Sequence, residues 1–93
     1  NATEARLTAE LLLDRAKLRS NYGQRNEALQ DLDHAVSLSP INEEVLIERA
    51  HVFTQLGDIA LAKQDLQAVL RGNPTHPLAL ERMRNLRDVP KKK

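Results

Sequence analysis

Cysteine and tryptophan are absent from this 93-residue chain, and tyrosine, phenylalanine and methionine occur once each. The missing cysteine excludes a disulfide framework, a thiol nucleophile and a zinc–thiolate site. Glycine and proline number only three and four, so the points at which the backbone can turn sharply are few. Long apolar runs are also missing. Stretches such as Leu11-Leu12-Leu13 fall far short of the roughly 20 residues that span a bilayer, and of a signal-peptide core. No compartment signal can be read, and the cytoplasm is the favoured expectation. The start at Asn1-Ala2, without Met, reads as a processed or excised piece, with Asn1 and Ala2 as a cloning remnant outside the fold.

Leucine (16) and alanine (11) dominate what is present. Both are strong helix formers, while the aromatic and β-branched residues that strands favour are scarce, so an all-α domain is predicted. Apolar residues make up 41% and charged residues 29%, as in ordinary globular chains. A net charge of +1 conceals an asymmetry: residues 1–80 hold 8 Lys/Arg and 11 Asp/Glu, whereas residues 81–93 hold six and two. The body is therefore acidic and the end basic.

An internal repeat organises the chain. Shifted by 34 residues, 9–42 aligns with 43–76 at ten identical positions, including Leu12/Leu46, Arg15/Arg49, Ala16/Ala50, Gly23/Gly57, Ala28/Ala62, Asp31/Asp65, Leu32/Leu66 and Pro40/Pro74. Chance would give far fewer, and the glycines and prolines fall in register where a helical repeat must turn. Between them the apolar residues recur at helical spacing. Five helices are predicted, with no strand. The first ends near Tyr22-Gly23, and the second is stopped by Ser39-Pro40. Gly57 suits a left-handed helix end, and Asp58, Asn42 and His76 suit the starts of following helices. Pro77 suits a first turn, opening a fifth helix that runs to about Asp88. The predicted layout is an N-terminal extension over 1–8, repeats at 9–42 and 43–76, a single helix over 77–89, and a basic disordered tail at 90–93.

Arg15 and Arg49 interrupt apolar stripes at equivalent places, and Asp31 and Asp65 recur on the partner helices. Ligand contacts are one reading of the arginines. An ion pair inside each repeat is favoured, because both halves recur together.

No constellation for catalysis emerges. His34, His51 and His76 fall on different elements, and no histidine pair stands at i, i+4. His51 with Glu48 could hold one ion at i, i+3, but a solvated helix face is the preferred reading. Neither a nucleophile elbow nor a Gly-rich phosphate loop is present. No enzyme activity, metal or cofactor is expected. The basic tail lacks aromatics for base stacking, so nucleic acid is not an expected partner either.

The residues Leu12-x2-Arg15-Ala16-x2-Arg19 with Ala28-x3-Leu32 and Pro40 recur as Leu46-x2-Arg49-Ala50-x2-Phe53 with Ala62-x3-Leu66 and Pro74. The pattern resembles the tetratricopeptide repeat family, whose 34-residue units are helix hairpins. Leucine stands where that family mostly has aromatics. The resemblance covers two units and the first helix of a third, and implies an α-solenoid of antiparallel hairpins. It also implies a concave groove lined by the first helix of each hairpin, which takes a protein segment. Carried over residue by residue, that groove would present Glu10, Leu13, Asp14, Lys17, Ser20 and Asn21, then Glu44, Ile47, Glu48, His51, Thr54 and Gln55, and finally Leu78, Glu81, Arg82, Asn85 and Asp88. Leu13 and Ile47 are expected as exposed apolar spots. Acids exceed Lys/Arg there by six to two, so a basic, amphipathic segment is the expected ligand. A clamp for a terminal carboxylate is disfavoured, since Leu13, Lys17, Glu48, Leu78 and Arg82 hold its places and only Arg82 keeps the expected charge. The alternative to a protein-binding module is an assembly piece that self-associates or packs on neighbouring repeats through its ends, because no polar capping helix is evident.

Overall fold

Helix starts and stops follow from local chemistry. In the computed structural model, which describes residues 1–86, α1 (Ala2–Asn21) begins at Asn1, whose Oδ1 accepts the Glu4 N–H at 2.9 Å while the Glu4 side chain reaches back. Asn1 and Ala2 thus belong to the fold rather than outside it: a capping side chain satisfies amide groups that helix geometry leaves without partners. α2 (Arg25–Leu38) and α3 (Glu43–Leu56) follow, then α4 (Ile59–Gly72) and α5 (Pro77–Asn85). Asn42 caps α3 through the Val45 N–H, and His76 caps α5 by accepting the Ala79 N–H on Nδ1 at 3.3 Å. Asp58 occupies the cap position of α4, but its side chain makes no capping bond.

The two hairpin turns share one geometry. Gly23 and Gly57 have φ of +81° and +86°, a region a side chain makes costly. Around each, the next N–H closes back on the helix: Gln24 donates to the Arg19 carbonyl and Asp58 to the Phe53 carbonyl, both at 2.8 Å.

The result is all-α, with no strand among the described residues, and consecutive helices pack against each other. Two apolar clusters repeat the same register. The first joins Ala9, Leu13 and Ala16 of α1 to Ala28, Leu32 and Ala35 of α2, and also buries Val45 and Val52 of α3. The second joins Leu46, Ile47, Ala50 and Phe53 of α3 to Ala62, Leu66 and Val69 of α4, and buries Ala79 and Leu86 at the ends of α5. Each hairpin therefore offers a floor for the next first helix. Ala28 and Ala62 are fully buried where helices cross, and a longer side chain there costs about 1–3 kcal/mol in overpacking. Leu32 and Leu66 fill the hairpin centres, where truncation to alanine costs about 2–5 kcal/mol.

α5 departs from the pattern. Where α1 and α3 carry Leu13/Ile47 and Ala16/Ala50, α5 carries Glu81 and Arg84, both exposed. At these two positions charge replaces the apolar residues that pack between successive hairpins, while Leu78 and Leu80 remain exposed. The extension of the fifth helix to residue 89, Asp88 in the groove and the tail at 90–93 lie outside the described residues.

Candidate functional site

Ion pairs position the first helix of each hairpin. Arg15 lies across from Asp31, donating from Nε to Oδ2 at 3.0 Å and from Nη2 to Oδ1 at 2.7 Å. Arg49 meets Asp65 through the same atoms, each at 2.8 Å. Such forked pairing fixes both planes at once. These hydrogen bonds, and the negative charge beside them, raise the pKa of both arginines above their ordinary value. The surroundings differ between hairpins. Asp31 also takes Arg19 Nη1 at 3.3 Å. Arg49, in contrast, also donates to Asp33 of α2 at 3.0 Å, and its guanidinium carbon stands 5.5 Å from the centre of the Phe53 ring.

With α3 held in this way, two adjoining concavities open on the side lined by α1, α3 and α5. One, of about 280 Å³, has Ile47, Ala50, Leu66 and Leu86 as its apolar floor and wall, and His51, Thr54, Arg82 and Asn85 at its edge. The other, of about 260 Å³, lies among Lys17, Glu44, Glu48, His76 and Leu78. Ile47 and Arg82 line both, so they form the ridge between two parts of one groove. Thr54 is not free to recognise a ligand strongly, since its hydroxyl already donates to the Ala50 carbonyl at 2.8 Å.

Of the residues singled out from the sequence, Lys17, Glu44, Ile47, Glu48, His51, Thr54, Leu78, Arg82 and Asn85 come together around these concavities. Glu10, Leu13, Asp14, Asn21 and Gln55 line neither. Leu13 is buried rather than exposed, because the first helix of the second hairpin, with Val45 and Val52, lies across it. Ile47 is nearly buried for the same reason, covered by α5, and contributes only its edge to the groove floor. Asp14 is exposed beside Leu11 and Leu18, at the register position that Glu48 holds beside Val45 and Val52. Gln55 is engaged: its Oε1 accepts the hydroxyl of buried Ser20 at 3.2 Å, tying α1 to α3. Around the two concavities themselves, Glu44 and Glu48 stand against Lys17 and Arg82. Leu66 and Leu86, absent from the sequence-based groove, are buried side chains that line its floor and wall. A second 34-residue step, from Val52 to Leu86, is the signal that reveals the latter.

Among the described residues no cluster of three His, Asp or Glu side chains converges to hold a metal ion, and no helix is long and apolar enough to cross a membrane. His76 Nε2 stands 3.5 Å from Glu43 Oε1, an arrangement that seats the helix cap. No protein-family model matches the chain, and no curated protein is significantly similar to it.

Proposed function

We propose that the chain is a non-catalytic protein-binding module of tetratricopeptide type, taking a peptide or helix segment in the groove beside α3. The observation that carries this reading is the pair of adjoining concavities that share Ile47 and Arg82. An apolar floor rimmed by isolated charges suits an amphipathic segment that places one apolar side chain between α3 and α5. The balance of Glu44 and Glu48 with Lys17 and Arg82 around the concavities supports a ligand of mixed charge there. The likeness in residues 9–76 to the tetratricopeptide pattern supports a scaffold role for the hairpins themselves.

Selection of binders from a random peptide library on the immobilised chain tests the reading. Segments recovered should share an apolar anchor, and Arg82→Glu or Thr54→Arg, both at the groove edge, should weaken them at least about tenfold, or roughly 1.4 kcal/mol. Selected segments whose affinity ignores both changes would overturn it. A second reading, assembly through an exposed end, is favoured by a different observation, the apolar outer face of α1.

A further inference from the structure

The 34-residue register singles out one surface of this molecule as unfinished. Val45 and Val52 of α3 are fully buried on the first hairpin, and their counterparts Ala79 and Leu86 are buried on the second. The residues at the same register in α1 are Leu11 and Leu18, which are 70% and 56% exposed. Leu7 and Tyr22 extend the stripe and are also exposed. Spaced four, seven and four residues apart, all four project from the side of α1 opposite Ala9, Leu13 and Ala16. An exposed apolar stripe of this kind, interrupted at its middle by Asp14, marks an interaction site.

We infer that the outer face of α1 is a self-association surface, which pairs antiparallel across a twofold axis with α1 of a second copy of the chain. The groove beside α3 lies on another side and remains open in such a dimer. The spacing of the stripe is what names the occupant. Reversed about a point between Asp14 and Arg15, it maps onto itself: Leu7 falls level with Tyr22 of the second copy, and Leu11 with Leu18. An isologous contact requires such self-complementarity.

Charge agrees with the antiparallel sense. The first half of α1 holds Glu4, Glu10 and Asp14 against Arg6, and with the amino-terminal ammonium that pairs with Glu4 has a net of −1. The second half holds Arg15, Lys17 and Arg19, which with their partner Asp31 leave a net of +2. Antiparallel pairing sets each half beside its opposite, except at the axis, where Asp14 and Arg15 stand beside their own copies. The other end of the molecule is a poor occupant, because α5 presents Glu81 and Arg84 where a docking first helix would need apolar residues. The area also sets the strength. α1 has 20 residues and is about 30 Å long, so one helix face per partner stays at the small end of specific interfaces. The dimer is accordingly a weak one, formed in the micromolar range.

Sedimentation velocity over a concentration series should show a monomer–dimer equilibrium that stops at two. The double change Leu11→Glu with Leu18→Glu, at exposed positions, should weaken it at least about tenfold with helix content unchanged. Because the chain has no cysteine, single introduced thiols report geometry without background. Asp14→Cys, beside the axis, should cross-link to itself. Leu7→Cys should not, since its two copies would stand about 22 Å apart along the helices, but it should link to Tyr22→Cys in a mixture. A monomer at millimolar concentration, growth beyond the dimer, indifference to the glutamates, or self-linking of Leu7→Cys would each overturn the inference.

Discussion

The two hairpins use the same arginine–aspartate pair in opposite ways. In the first, one carboxylate, Asp31, sits between two cations, Arg15 and Arg19. In the second, one cation, Arg49, sits between two carboxylates, Asp65 and Asp33. A single difference accounts for part of this: the residue four after the arginine is Arg19 in one unit and Phe53 in the other. Phe53 covers the guanidinium and cannot share the aspartate, so Arg49 keeps 20% of its side chain exposed where Arg15 keeps 55%. Asp33 then reaches Arg49 from the preceding hairpin and ties the two units together. Equal spacing in the sequence yields a redundant, wet cluster at one site and a drier, joining one at the other. Such pairs resist one-sided loss in proportion to their burial.

This contrast can be broken most sharply at Arg49. Arg49→Ala leaves buried Asp65 without a counter-charge and should cost about 2–3 kcal/mol in urea unfolding followed by circular dichroism. Removing both partners, as Arg49→Leu with Asp65→Leu, should be tolerated better than Asp65→Ala alone, because no orphaned charge remains in the interior. Gly57→Ala should cost about 1 kcal/mol through its left-handed backbone, and Gly23→Ala the same, since the two turns do not share the asymmetry of the ion pairs. Asp33→Ala removes only the exposed link between hairpins. A loss of about 0.5 kcal/mol that disappears at high salt is expected. The smallest effect belongs to Arg15→Ala: Asp31 retains Arg19, and the unfolding midpoint should stay within experimental scatter. A large loss there would erase the difference between the hairpins.

Much of the fold was legible because it depends on short-range rules. Gly57 marks a left-handed helix end, Asn42 and His76 mark starts, and the recurrence of Arg15/Asp31 as Arg49/Asp65 places each pair on facing helices. The groove was less legible, for a geometric reason. Helical periodicity assigns each residue to an inner or an outer face, but the first helix of a stacked hairpin has neighbours on more than one side. Leu13 and Ile47 belong to clusters that join their own partner helix to the next first helix, and are buried there. The sharing of Asp31 and of Arg49 depends on side-chain reach between three helices, which no spacing along one chain encodes. The polar nature of α5 was present in the letters all along. It becomes visible when Glu81 and Arg84 are set against Leu13/Ile47 and Ala16/Ala50.

One wall of the groove has a kinetic consequence. Arg82 and Leu86 belong to α5 and its end, a nine-residue helix whose burial rests chiefly on Ala79 and Leu86. A helix of this length has little stability of its own, so α5 should open more often than the rest of the chain and its amides should exchange first with solvent. Ile47, Ala50 and Leu66 stand on the more deeply anchored hairpin and would keep their protection. The groove thus has a fixed floor and a breathing wall. A bound segment that holds α5 in place would slow hydrogen exchange at Ala79–Leu86 more than elsewhere, and part of its binding free energy would be spent on ordering that wall.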